Sequence, residues 1–409
     1  MDRLGEYGFE TGFESSLFGE LKEFQNRNRF IVETVQLRKP SLKGLNAAQF
    51  LSSVESFIPK NLIASQNFKE MQNLASYFSG GITSFFGFES VLDSADAQAD
   101  YLFAVSSRKG EREAFTEMLK NGLFPTKFMN QDVWKHIREF ATQWANPDSI
   151  LYNKVLGLWL EFDMVGLSSE APIPCIFIQT PSLRIDTPED LNEFTKLTTS
   201  ALPLLTGQSV SEKIQKQMIK ALQELPKGSG LMDVGVMLSR AVTGIRYCIV
   251  RISPNEIIPY LTALGWSDND EQVSTLLKEL EAHVTRLVLH INITEEGVDQ
   301  KIGIECSYSP DCYHLETRWS AFLDYLIKKG VCLPEKKESL LSFSGVEKED
   351  SSNDFNLNSY QVSVKIQDDD FSSALVRFIS HIKLVYNPNS PIQAKAYAGV
   401  RLFGHHVDH

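Results

Sequence analysis

Residues 246–308 read RYCIVRISPNEIIPYLTALGWSDNDEQVSTLLKELEAHVTRLVLHINITEEGVDQKIGIECSY, and the fold is decided by how this stretch is parsed. Its first segment and its last two alternate in character at a period of two, as strands do. PNEIIPYLTALGW and the run after it space their apolar residues as amphipathic helices do. The order is therefore strand, helices, strand, a short turn at EEGVDQ, strand. The same order is readable before it, over about 101–182, and after it, over about 360–400. Such units cannot bury their apolar faces alone, so they stack or close around an axis. The expected fold is α+β: a threefold internal strand–helix–hairpin repeat forming a curved, largely antiparallel sheet or barrel with outer helices.

Two regions are expected, a helical N-terminal region over 1–98 and a repeat-built α+β domain over 99–409. In the first, NAAQFLSSVESFI and NFKEMQNLASYF have helical spacing, and YFSGGITSFFGFES reads as an irregular glycine-rich loop packed by its own phenylalanines. A phosphate-cradling loop needs a strand before it and Lys-Ser/Thr after it, and this stretch has neither. GLMDVGVMLSRAV (230–242) reads as a helical run, and DDDFSSALVRFI (368–379) as the short helix of the third repeat.

A formal net charge of -12 opposes non-specific binding to nucleic acid or to an anionic membrane surface, so neither partner is expected. The five cysteines are Cys175, Cys248, Cys306, Cys312 and Cys332; an odd number without a CxxC pair fits a reduced, cytoplasmic protein. No apolar run reaches membrane-spanning length, and the acidic start MDRLGEYGFETGFESS is no signal peptide.

Side chains of a strand alternate between two faces. VLGLWLEFDM (155–164) sets Leu158, Leu160 and Phe162 against Trp159, Glu161 and Asp163. LVLHINIT sets leucines and isoleucines against His290 and Asn292, and KIGIECSY sets isoleucines against Lys301 and Glu305. YQVSVKIQ carries Lys365, HIKLVYNP carries His381 and Lys383, and IQAKAYAGV carries Lys395 and Tyr397. One face of the sheet is thus apolar and calls for a cover of helices. The polar face has two readings: a solvated side of an open sheet, or the lining of a cavity made by curling it. In a cavity Trp159, Glu161, Asp163, Gln179, Arg251, His290, Glu305, Lys365, Lys383, Lys395 and Tyr397 would converge, and Trp159 and Phe177 beside charges favour that arrangement.

Glu161 and Asp163, two apart on one strand, point the same way. Close like charges raise one carboxyl's pKa and make a proton acceptor, unless each is bonded to a facing cation. Asp311, Cys312 and His314 form DCYH, but no second pair of ligands stands near it in sequence, so no metal site is expected. There is no Walker loop, GxGxxG after a strand, GxSxG or HExxH.

The polar strand faces and the terminal hairpin HIKLVYNPNSPIQAKAYAGV resemble the aromatic prenyltransferases of the ABBA barrel. The resemblance covers mainly residues 156–180 and 380–400. It implies that Lys395-x-Tyr397, with Arg251, Lys365 and Lys383, holds an allylic diphosphate, and that Glu161 is the early-strand carboxylate that engages an aromatic acceptor. No cofactor is expected. RWSAFLDYLIKKGVCLPEKKESLLSF (318–343) also looks like uncharacterised bacterial proteins of ribosomal-peptide clusters, which assigns no residue a role. Two functions follow. One is a transferase moving a prenyl group to an aromatic small molecule or peptide side chain in natural-product biosynthesis. The other is a non-enzymatic module that captures a peptide or partner protein. A closed cavity with buried Lys and Arg speaks for the first, and an open groove with an unpaired strand edge for the second.

Overall fold

The computed structural model describes residues 46–107, 110–122, 124–164, 171–240, 244–267, 271–309, 311–348, 371–388 and 390–406. The strands are β1 (Phe85–Val91), β2 (Ala99–Ser106), β3 (Gly157–Phe162), β4 (Cys175–Leu183), β5 (Gly230–Val236) and β6 (Ile245–Val250). They continue with β7 (Arg286–Thr294), β8 (Gly297–Val298), β9 (Ile302–Ser307), β10 (Gly345–Lys348), β11 (Phe371–Tyr386) and β12 (Gln393–His406). Antiparallel pairing runs in order from β11 through β12, β1, β2, β3, β4, β5, β6 and β7 to β9. β9 then pairs with β11, Glu305 opposite Lys383, so the sheet closes into a ten-stranded barrel. The short β8 and β10 attach outside this ring, to β7 and β11.

Five hairpins build the ring: β1–β2, β3–β4, β5–β6, β7–β9 and β11–β12. The expected threefold repeat is thus replaced by five strand pairs. Two strands are disguised in the sequence. β1 lies in the phenylalanine- and glycine-rich stretch read as a loop of a helical N-terminal region. β5 carries Gly230, Gly235 and a bulge, and was read as helix. Residues 371–379, also read as helix, begin β11. The strand expected at 360–367 and the acidic run 368–370 lie outside the described residues.

Helices fill the sequence between hairpins. The longer ones are α1 (Ser65–Ala75), α2 (Glu111–Lys120), α3 (Asp132–Trp144), α4 (Pro188–Thr206), α5 (Glu212–Gln223), α6 (Pro254–Ala263), α7 (Glu271–Leu280), α8 (Trp319–Lys328) and α9 (Pro334–Phe343). Their starts are written locally. Thr187 and Asp190 form a capping box around Pro188 on α4, and Ser253 and Glu256 one around Pro254 on α6. Each turns its apolar stripe to the barrel. Trp134, Ile137, Phe140 and Trp144 of α3 join the same buried core as Leu158, Leu160 and Phe162 of β3 and Leu287, Leu289, Ile291 and Ile293 of β7. The apolar strand face read from sequence is therefore the outer wall of the barrel. Among the described residues no helix is long and apolar enough to cross a membrane.

The inner face has to accommodate side chains from all around the ring, and glycine supplies room. A Cβ on Gly87 would stand 2.8 Å from the Ala398 carbonyl oxygen of the neighbouring β12. That contact is with backbone, so no rotamer relieves it. Gly87→Ala is expected to destabilise the protein by about 1–3 kcal/mol. Gly81→Ala, whose nearest new contact is a serine side-chain oxygen at 3.8 Å, should change stability by under about 0.5 kcal/mol. Urea unfolding of both variants checks the pair, and equal midpoints would show that the β1–β12 seam tolerates the added methyl.

Candidate active site

The lumen holds two chambers that meet at Glu161 and His290, which line both. The larger, about 170 Å³, has Phe85, Trp159 and Phe177 among its walls, with Met232, Cys248 and the polar residues Gln179, Asp233, Glu305, His381 and Tyr397. Trp159 meets Phe85 edge-on at 4.9 Å between ring centres. The smaller chamber, about 90 Å³, is strongly cationic: Arg240, Arg246, Lys301, Lys383 and Lys395 face it with only Glu89 and Glu161 as carboxylates among its described lining. Crowding among these cations is visible at Lys301, whose ammonium pKa is lowered by partial burial and then by Arg246, Lys395 and Arg240.

A tight polar cluster closes the waist. Glu89 of β1 accepts hydrogen bonds from the Lys395 ammonium and the Tyr397 hydroxyl, and Lys383 donates to the same hydroxyl. The Lys383 Nζ also lies 3.9 Å from the Glu89 carboxylate. His381 stacks on the Tyr397 ring at 4.1 Å. Burial disfavours the charge of Glu89, but Lys395, Lys383 and the hydrogen bonds outweigh it and hold the carboxyl well below its usual range. Glu305 is held between two imidazoles, 2.6 Å from Nε2 of His290 and 3.3 Å from Nε2 of His381. Burial again opposes its charge, and the two rings with Lys383 outweigh that and keep it low.

Most of the residues expected at the site meet here: Trp159, Glu161, Gln179, His290, Glu305, Lys383, Lys395 and Tyr397 all line the lumen. Two, Arg251 and Asp163, do not follow the expectation. Arg251 lies past the end of β6 with a left-handed φ of 55° and is exposed. It donates to the Gly228 carbonyl (2.9 Å) and to Ser182 Oγ (2.6 Å), tying strand ends together outside both chambers. Asp163 is not the partner of Glu161 in a carboxylate pair. Arg240 grips it with Nε and Nη2 at 3.0 and 2.5 Å, and Ser239 Oγ adds a bond at 2.8 Å. Despite burial these bonds keep its pKa below the ordinary value. Lys365 lies outside the described residues.

Several lining residues were not legible. Glu89 was hidden with β1, although Phe86 and Phe88 alternating with Gly87 and Glu89 carry a strand signal. Arg246 follows from the alternation of RYCIV, once Tyr247 and Ile249 are placed in the outer core. Arg240 reaches in from the segment after β5, and no strand pattern points to it. Asp233 depends on the bulge of β5. Among the described residues no group of three or more His, Cys, Asp or Glu is arranged to hold a metal ion.

The fold is that of solved aromatic prenyltransferase barrels. AnaPT from Neosartorya fischeri superposes with a TM-score of 0.50 at 10% identity, over 92% of this chain and 96% of that one. The apo form of the prenyltransferase PriB gives 0.47 at 12% identity over 88% and 96%. The 5-dimethylallyltryptophan synthase of Streptomyces coelicolor gives 0.42 at 11% identity over 88% and 97%. At such identities the AnaPT likeness shows the architecture alone, which is the one implied by the terminal hairpin. No protein-family model and no curated protein matches the sequence.

Glu161 is the half-buried acid that both chambers share. Burial raises its pKa from 4.5 to about 7, with Glu89 adding to the rise and Lys383, Arg240 and Arg246 opposing it. The folded protein therefore binds more protons than the unfolded chain between pH 4.5 and about 7, and this group's contribution to stability falls as pH rises through that window. Glu161→Gln removes the slope. Its midpoint of thermal unfolding, taken relative to wild type, is expected to be higher at about pH 8 than at about pH 5. A pH-independent difference would place the carboxyl in an ordinary aqueous environment.

Proposed function

We propose that the protein transfers a prenyl group from an allylic diphosphate to an aromatic acceptor. The observation that carries this reading is the division of one closed lumen into a cationic chamber and an aromatic one, with Glu161 on their common wall. A diphosphate leaving group needs concentrated positive charge, and charge-assisted bonds from Lys and Arg are the strong means of holding phosphate oxygens. Lys383, Lys395, Arg246 and Lys301 supply them, with the Tyr397 hydroxyl beside Lys383. As the carbon–oxygen bond of the donor breaks, the bonding electrons leave with the diphosphate and an allylic cation forms. Trp159, Phe177 and the stacked His381 and Tyr397 rings present π-faces that favour such a cation over water. The acceptor ring then attacks through carbon, and Glu161, poised near neutrality, receives the proton it loses.

A closed ring, with the described strands outside it only two and four residues long, also supports a transferase over a module that captures peptides by strand addition. The substrate range stated in sequence terms, aromatic small molecule or peptide side chain in a biosynthetic pathway, remains part of this proposal, as does action in the cytoplasm.

Thermal unfolding with pyrophosphate and with dimethylallyl or geranyl thiolodiphosphate tests the donor half. A ligand that binds only the folded state raises the midpoint by mass action. The prenyl analogues are expected to raise it above pyrophosphate. Lys395→Ala and Lys383→Ala are each expected to weaken pyrophosphate binding by at least about tenfold. No midpoint shift with any of these ligands would remove the donor assignment. Transfer activity left unchanged by Glu161→Gln would remove the role of that carboxylate.

A further inference from the structure

We propose that the aromatic chamber selects an acceptor carrying a positive charge, an aromatic amine, and that Asp233 is the specificity-determining residue; the acceptor's role rests on the transferase reading above. Asp233 lies on β5 where the register with β6 slips: Leu231 pairs with Ile249, and Asp233 with the next residue, Cys248. The bulge gives β5 one extra residue, and as a result Met232 and Asp233 both line the chamber. Bulges are a common device for re-aiming a side chain beside a site.

The position is costly for a carboxyl. Asp233 is only 6% exposed, and its Oδ1 is buried with no hydrogen-bond partner among the described residues. Cys248, Phe177, Met232 and Trp159 belong to the small apolar cluster on this wall. The pKa of Asp233 stands well above the ordinary carboxyl value because of burial first, then Glu305, then Glu161; no cation appears among its neighbours' effects. The chamber's two guanidiniums are set toward other carboxyls of the same wall: Arg286 is in the field of Glu305 and Asp311, and Asp311 in that of Arg286 and Arg401.

Five carboxyls, Glu111, Glu161, Asp233, Glu305 and Asp311, thus line a space with aromatic walls, and the buried Oδ1 of Asp233 has no hydrogen-bond partner among the described residues. Buried polar groups without partners are rare and are kept where something completes them. An ammonium on an aromatic acceptor completes this one. It brings positive charge to Asp233 and Glu305, releases the proton that burial holds on Asp233, and lets the ring lie against Trp159 and Phe177. A carboxylate on the acceptor leaves Asp233 without a cation and stands beside the charged Glu305, which disfavours it.

Binding is measured by calorimetry without any diphosphate, using tryptamine, 3-ethylindole as its uncharged counterpart, and indole-3-propionate. Wild type is expected to bind tryptamine at least about tenfold more tightly than 3-ethylindole, with the propionate weakest. In Asp233→Asn the ratio of tryptamine to 3-ethylindole should fall below about threefold. Equal affinities, a preference for the propionate, no binding of tryptamine, or a preference kept by Asp233→Asn would each overturn the proposal. The wild-type comparison stands even if the variant folds poorly. A parallel assay with dimethylallyl diphosphate separates the two readings. Amine preference without prenylated product leaves this inference and removes the transferase. Product formed without amine preference does the reverse.

Discussion

Closure of the sheet is the constraint on which everything else depends. A ten-stranded antiparallel sheet with free ends would leave one polar face in water and two rows of unpaired backbone groups. The pairing of β9 with β11 removes both edges at once and turns that polar face into an interior. Charges that would be solvated on an open sheet then face one another across a lumen with little water. Each must find a partner there, change protonation, or wait for a ligand.

The three outcomes are all present and divide the interior. Glu89 finds partners: two lysines and a tyrosine converge on it from β11 and β12, so the strands that close the ring are also tied together at its waist. Asp163 finds Arg240. Glu161 and Asp233 change protonation: burial raises the first to about 7 and the second well above the ordinary carboxyl value. The crowded cations around Lys301 are left with positive charge in excess, which is the condition under which an anion binds. The separation of a cationic end from an aromatic end is a consequence of which residue types sit at each level of the strands. Levels near Lys301, Lys383 and Lys395 are basic, and levels near Phe85, Trp159 and Phe177 are aromatic.

Reading the strands two residues at a time recovered much of this. The alternation in VLGLWLEFDM, LVLHINIT, KIGIECSY and IQAKAYAGV correctly separated the outer wall from the lumen, because a period of two is imposed by backbone geometry and survives any curvature. Eight of the proposed lumen residues were legible for that reason. The failures have equally physical causes. β1 offers Gly87 where a large side chain would collide with β12, so the strand looked like a loop. β5 contains a bulge, which breaks the period that reveals strands. Arg251 sits one residue beyond its strand, where φ has left the extended region and parity no longer applies.

Sequence by itself determined most of the elements, their two faces and the acidic, helix-covered character of the molecule, since these follow from local spacing and composition. Tertiary structure alone decided that five hairpins rather than three repeats form the ring, and that the ring closes. It also decided which charges are neutralised and which remain. Those outcomes depend on contacts between residues far apart in the chain, as between Glu89 and Tyr397, 308 positions apart. A carboxylate's neighbours across a lumen leave no trace in the spacing along its own strand.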